Sequence, residues 1–306
     1  MTAGRQRPIV NAMSIDVEDS FQVSAFDHVV PRETWGQRES RVCANTERLL
    51  ALFEERGVRA TFFILGWVAE RFPELVRRIA ALRHEIACHG YGHRLVYEQS
   101  PEEFRQDVRR AKALLEDIST VPVHGYRAPS FSITQRSLWA LDVLIEEGYQ
   151  YDASVFPIHH DRYGIPGSPR HVHVVKRASG SIVEAPASTL RYGGVNVPIG
   201  GGGYFRLLPY RWTQKGIERL NRVEQRPAIV YLHPWEIDAA QPRIEVAPVT
   251  WFRHSVNLAK TESRLARLLR DFRFSTVANM VHTATLEIAG ASLLSPTLMP
   301  AQVTSI

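Results

Sequence analysis

Short, wholly apolar runs alternate with amphipathic stretches along most of this chain, and that alternation limits the folds open to it more than any other feature. Ala60 to Leu65 (ATFFIL) and Ala228 to Leu232 (AIVYL) are continuous runs of strand length. Such runs suit strands of a parallel sheet covered on both faces. Between the runs, Asn45 to Arg56 places Leu49, Leu50, Leu52 and Phe53 on one side of a helix, and Gly57 suits its C-terminal cap. Ser100-Pro101-Glu102-Glu103 is a helix start, with a capping serine, a proline at the first helical position and a glutamate completing the capping box. Helices are also expected over about 73–82, from Thr134 to Gly148, over 210–223 and over 261–272. Strands are expected over 9–15, 85–88, 123–127, 149–155, 181–185 and 274–280. Repeated strand-helix units over 306 residues predict an α/β fold, a single-domain distorted (β/α) barrel of about seven βα units. No Pro/Ser-rich linker or internal repeat divides the sequence. The expected domain therefore spans 1–288, with an insertion near 156–210 and a C-terminal tail over 289–306.

In such barrels chemistry gathers at the C-terminal ends of the strands. The sequence puts unusual residues there. His89-Gly90-Tyr91-Gly92-His93 sets two imidazoles on a glycine-rich turn, a half-site for a borderline metal such as zinc. The first strand runs into Asp16-Val17-Glu18-Asp19, three carboxylates in four residues, whose mutual repulsion a bound cation would relieve. Strand alternation points Asp16 and Glu18 the same way, with Asp19 already in the turn. Arg127 and His233 close two later strands. Gly200 to Gly203 allow close approach of backbone to a ligand and carry neither a phosphate-loop ending nor an evident helix start. Two readings stay open for this stretch: a sugar-contacting loop through Tyr204 and Arg206, or a flexible hairpin. His159, His160, His171 and His173 read as loop histidines and Cys88 as a small buried strand residue.

Composition narrows the partners. The net charge of +5 comes almost entirely from arginine, with lysine only at 112, 176, 215 and 260, and no basic run stands out. Nucleic-acid binding is not supported. The two cysteines, Cys43 and Cys88, form no C-x-x-C pair and suit a reducing compartment. No segment approaches the roughly 20 apolar residues that span a bilayer. The expected location is cytoplasmic, with peripheral attachment to the inner membrane as a variant. The oligomeric state is left open.

Taken together, the acidic strand end, H-x3-H, R-x-P and late Leu-His resemble the polysaccharide deacetylases, the NodB-like carbohydrate esterase family 4. Ala60-Thr61-Phe62-Phe63 and His84-Glu85-Ile86 resemble that family's flanking sequence. The segments SIDVED, RAPSFSIT, YDASVFP, GGGYFRLLP and HPWEID with its QPR extension are similar to a subgroup found with exopolysaccharide and exosortase (PEP-CTERM) loci. The resemblance implies metal-dependent removal of N-acetyl groups from aminosugars of an exopolysaccharide or its lipid-linked precursor. By it, Asp16 matches the general base, Arg127 the residue that orients it, and His233 the general acid. His89 and His93 match metal ligands for Zn2+, with Co2+, Ni2+ or Mn2+ as alternatives. Val17 stands where the family has a second aspartate, so Asp19 is taken as the metal carboxylate, with Glu18 as the alternative. Ser130 replaces the family's tyrosine as the backbone oxyanion donor, Phe131 supplies an aromatic wall, and Asp152 loosely matches a later aspartate that tunes the acid. Ser130, Phe131, Asp152, Tyr204, Arg206 and Trp235 are the expected substrate-side residues. An allantoinase-like hydrolase of a small cyclic amide, or a glycan-binding protein without turnover, are the competing readings.

Overall fold

The computed structural model describes residues 8–294. Its elements alternate as the apolar runs require. In chain order they are β1 (Asn11–Val17), α1 (Val42–Arg56), β2 (Thr61–Ile64), α2 (Gly66–Arg71), α3 (Pro73–Ala81), β3 (Glu85–Cys88), α4 (Pro101–Ser119), β4 (Gly125–Tyr126), α5 (Trp139–Glu146) and β5 (Tyr151–Asp152). The second half holds β6 (His173–Arg177), β7 (Gly180–Glu184), β8 (Thr189–Tyr192), β9 (Val195–Pro198), α6 (Gly202–Leu207), α7 (Tyr210–Arg219), β10 (Ile229–Leu232), α8 (Pro248–Ser255), α9 (Leu258–Asp271), β11 (Phe274–Ser275) and α10 (Val277–Leu294).

Seven of the described strands run parallel in the order β10-β1-β2-β3-β4-β5-β7, with β6 folded antiparallel against β7 and β11 beside the start of β1. The sheet curls into a (β/α) barrel. Its seam is spanned by a side chain: Ser188 Oγ accepts the Ile229 backbone N–H at 2.7 Å where β7 and β10 would otherwise pair. The continuous apolar runs are the buried strands, since every residue of β1, β2 and β10 is buried. Leu49, Leu50 and Phe53 of α1 and Val108, Ala111 and Leu115 of α4 pack on the outside of that sheet. The predicted capping box forms, with Glu103 N–H donating to Ser100 Oγ and Ser100 N–H to Glu103 Oε2 at 2.8 Å.

Four expectations shift. The stretch 156–210 contributes β7 to the barrel sheet itself. The strand expected over 274–280 is two residues long, and α10 begins at Val277 once Thr61 Oγ1 accepts its N–H at 2.7 Å. That helix runs through Leu294, past the start of the expected tail, whose remaining residues 295–306 lie outside those described. The glycine-rich stretch opens α6 instead of a ligand loop. A Cβ on Gly201, whose φ is 122°, would fall 2.2 Å from the Tyr231 ring, so that glycine serves close packing on β10.

Candidate active site

Four barrel strand ends, those of β1, β3, β4 and β10, deliver residues to one buried cluster. Asp16 is the penultimate residue of β1 and Glu18 follows its end, so strand alternation turns both carboxylates inward. His89 follows β3, Arg127 follows β4 and His233 follows β10. All but His233 are 2 % exposed or less.

The histidine loop is held from both sides. The Asp107 carboxylate on α4 accepts the Tyr91 N–H at 2.8 Å and the Gly92 N–H at 3.3 Å. Arg32 donates to the carbonyls of Gly92 at 2.8 Å and His93 at 3.0 Å. Gly90 has φ 73°, and its missing Cβ leaves room for Asp107 Oδ1. His93 itself sits at φ 51°, a region that non-glycine residues enter at a cost and that is common at functional sites. These restraints bring His89, His93 and Glu18 together, one ligand atom of each lying within 4.8 Å of the others. Among the described residues this is the one cluster of three or more histidine, cysteine or acidic groups with that spacing.

The donor chemistry suits a divalent cation. Glu18 Oε2 lies 2.8 Å from His93 Nε2 and 4.0 Å from His89 Nε2, yet it is fully buried and has no aligned hydrogen-bond donor. A buried carboxylate oxygen left so is costly unless a positive charge faces it. Burial alone would raise the Glu18 carboxyl, but His93, His233 and His89 outweigh it and hold it near 2. Burial pushes His89 down to about 4, which keeps its imidazole neutral. Its Nδ1 lies 2.8 Å from the Arg127 carbonyl, which fixes that nitrogen as the donor and leaves Nε2 free to ligate. Glu18, His89 and His93 therefore fit a borderline metal.

Asp19 does not join them. Its carboxylate is turned toward the start of α1, where it accepts Ser40 Oγ–H at 2.5 Å and the Arg41 N–H at 2.9 Å. Burial pushes it up to about 6. The turn that was expected to swing Asp19 inward swings it outward, and Glu18, the alternative carboxylate, is the one that faces the two histidines.

Beside this cluster stand an acceptor and a donor. Arg127 donates to Asp16 Oδ1 at 2.7 Å, to Ser14 Oγ at 2.9 Å and to the Ala153 carbonyl at 3.2 Å, and its guanidinium lies over the Phe63 ring. His233 Nε2 lies 3.8 Å from Asp16 Oδ2 and 3.7 Å from Glu18 Oε1. Burial works against the His233 imidazolium, but Glu18, Glu236 and Asp16 outweigh it and raise it to about 9. Its Nδ1 is 3.1 Å from Glu236 Oε2.

Several substrate-side expectations move into the protein's interior. Asp152 is fully buried and stands next to Glu184 across β5 and β7, bound to Ser154, with no contact to His233. Arg206 is 3 % exposed and donates to Glu236 Oε1 at 2.6 Å, so it faces no sugar. Trp235 is buried, stacks on His233 at 5.1 Å and donates its indole N–H to Glu18 Oε1 at 3.2 Å. Phe131 is buried in an aromatic group with Phe156 and Tyr231, which Tyr163 and Tyr204 border as partly exposed rings. Ser130 is partly exposed, at φ 51°, and shares a 2.7 Å hydrogen bond with Ser24. Glu236 was missed by sequence reasoning, although its place three residues after a candidate acid histidine was a usable signal. The histidines over 159–173 form no cluster: His160 stacks on Tyr163 and His171 pairs with Glu224. Cys88 is a buried thiol pushed up to about 12 by its burial.

A parallel barrel whose strand ends gather two carboxylates, three imidazoles and an oriented arginine has the make-up of a hydrolase centre. Comparison with known proteins narrows that class. Residues 34–151 match the sequence profile of the polysaccharide deacetylases, and residues 153–282 match a domain of unknown function (DUF3473). The chain is 32% identical over 98 residues to a peptidoglycan-N-acetylglucosamine deacetylase of Bacillus cereus, covering 32% of this chain and 36% of that protein. It is 32% identical over 101 residues to a chitooligosaccharide deacetylase of a Bradyrhizobium species, covering 32% of this chain and 43% of the other. A solved structure of a polysaccharide deacetylase candidate from Mycobacterium smegmatis superposes with a TM-score of 0.55 over 97% of both chains at 21% identity, a likeness of fold. The first half of the chain, over residues 34–151, thus carries a polysaccharide deacetylase domain match (carbohydrate esterase family 4, NodB homology), and the fold agrees with it. The matched segments span well under half of these two curated relatives.

Proposed function

We propose that this protein is a divalent-metal-dependent deacetylase that removes N-acetyl groups from aminosugars of a polysaccharide, with an exopolysaccharide or its precursor as substrate. One observation carries the reading: the Glu18-His89-His93 cluster stands directly beside an arginine-held carboxylate, Asp16, and an imidazole, His233. A cation held by Glu18, His89 and His93 would act as a Lewis acid on the amide carbonyl and on a water molecule, with zinc the best match to the donor set.

The chain's own groups account for the protons. Asp16 takes the proton of the attacking water, with Arg127 fixing its other oxygen so that Oδ2 faces the site. Water oxygen bonds to the carbonyl carbon, and the bond from that carbon to nitrogen then breaks. His233 Nε2 gives its proton to the leaving amine, and acetate departs with the water oxygen. The backbone N–H of Ser130 is assigned to the carbonyl oxygen as charge develops on it. The partly exposed rings of Tyr163 and Tyr204, bordering the aromatic group around Phe131, are assigned to the sugar face.

The test is acetate release by the zinc-loaded protein from N-acetylated chito-oligosaccharides and from an N-acetylated exopolysaccharide, with cyclic ureides in parallel. Acetate release that stops with chelator and returns with zinc supports the reading. Hydrolysis of ureides alone, or full activity after complete metal removal, ends it.

A further inference from the structure

Residues 153–282 match the profile of a domain of unknown function, yet in the structure they are not a separate body. They supply β7 and β10 to the barrel sheet and His233 to the site. We propose that Glu236, clamped by Arg206, is the positioning residue that fixes the His233 ring, and that this half of the chain serves the site as the carrier of that support. The inference rests on the deacetylase reading for the role of His233, and on geometry for the rest.

Glu236 holds His233 at two points. Its Oε2 accepts the His233 backbone N–H at 3.0 Å and lies 3.1 Å from Nδ1. An ionised carboxylate only accepts, so Nδ1 carries a hydrogen and Nε2 is the nitrogen turned to Asp16 and Glu18. The other oxygen, Oε1, takes Arg206 Nε–H. Arg206 Nη1 donates in turn to the carbonyls of Arg253, His254 and Val256, at 3.2, 2.6 and 3.2 Å, which ties α6 to the end of α8. Trp235 completes the frame, its ring stacked between His233 and His254 at 5.1 and 4.3 Å.

Two observations separate this from a structural ion pair. Glu236 is fully buried and Arg206 nearly so, and a buried ion pair is a weak source of stability against an apolar replacement. Asp152, the other acid a sequence comparison would offer His233, is engaged with Ser154 and Glu184 and does not reach it.

The experiment compares wild type, Glu236→Gln, Glu236→Asp and Arg206→Lys as full-length, zinc-loaded proteins. Glu236→Gln is expected to lower kcat by about 10²-fold with KM within about twofold. Glu236→Asp is expected to recover part of the loss, and Arg206→Lys to lie between wild type and Glu236→Gln. Zinc affinity, read by chelator competition, is expected to stay within about twofold in all of them. Nitrogen-15 spectra of labelled histidine are expected to show the His233 ring signals displaced in Glu236→Gln while those of His89 and His93 hold. Unchanged His233 signals in Glu236→Gln, or kcat and KM falling together with zinc affinity, overturn the proposal. A wild type that releases no acetate from any glycan removes the deacetylase reading, while the nitrogen-15 comparison still decides whether Glu236 holds the ring. Arg206→Lys keeps the question answerable should Glu236→Gln fold poorly.

Discussion

The Trp235 indole donates to Glu18 Oε1 at 3.2 Å, joining residues 217 positions apart. The bond ties the first strand end, which lies ahead of the residues matched to the deacetylases, to the segment matched to a domain of unknown function. It meets Oε1, whereas His89 and His93 face Oε2, so it orients the carboxylate from the side away from those two imidazoles. A donor of that kind typically changes metal affinity by about 10- to 100-fold. Trp235→Phe keeps the ring stacked on His233 and removes only the N–H. Zinc affinity is expected to fall about 10-fold, measured by chelator competition, with the melting temperature little changed. An unaltered affinity would remove Trp235 from the metal's support.

Glu18→Gln and Asp19→Asn distinguish the two acidic candidates at the end of β1. Glu18 faces the histidines and Asp19 faces Ser40 and Arg41. Elemental analysis is expected to find no stoichiometric metal in Glu18→Gln and one equivalent in Asp19→Asn. The reverse pattern would return the role to Asp19.

Arg127→Lys tests how Asp16 is held. Lysine lacks the planar fork that reaches Asp16, Ser14 and the Ala153 carbonyl at once. The expected outcome is a loss of about 10²-fold in kcat with metal content retained, checked by steady-state kinetics beside elemental analysis. Wild-type turnover in Arg127→Lys would contradict the assigned role.

Stability is expected to depend on pH through His84, a residue outside the site. Burial, with help from Arg59, lowers its imidazole to about 4, and its neutral Nδ1 accepts the Ala60 N–H. The unfolded chain takes up that proton near pH 6.5 while the folded one resists until about 4. Stability is therefore full above about 6.5 and declines as pH falls toward 4, by about 2–3 kcal/mol at most. His84→Asn retains an acceptor and cannot be protonated. Its denaturant midpoint should fall less than that of wild type between pH 7 and pH 4.5. Parallel declines would rule His84 out as the source.

Gly201→Ala and Gly203→Ala separate packing from ligand approach. A methyl at 201 meets the Tyr231 ring and carbonyl in a left-handed backbone, whereas one at 203 comes no nearer than 4.0 Å, to Arg206. Overpacking costs about 1–3 kcal/mol, and alanine inside a helix gains up to about 1 kcal/mol over glycine. Thermal melts should show Gly201→Ala destabilised and Gly203→Ala neutral or slightly stabilised. Equal destabilisation would require another account of the glycine run.

Local chemistry made much of this protein legible. The apolar runs 60–65 and 228–232 specified buried parallel strands, since only a sheet covered on both faces hides so many consecutive apolar side chains. Ser100 and Glu103 specified a helix start because both ends of the capping box lie within four residues. Strand alternation grouped Asp16 with Glu18. What the sequence left open depended on distant partners. Asp19 was lost to Ser40 and Arg41, whose approach only the turn after β1 decides. Arg206 became a buried support because Glu236 and three carbonyls of the 253–256 stretch met it there. The glycine run became a helix because Tyr231 lay against it. Periodicity and capping act over a few residues and can be read along a chain. The direction of a side chain at a loop end is set by whichever group from elsewhere satisfies its charge once water is excluded, and that is settled only when the barrel closes.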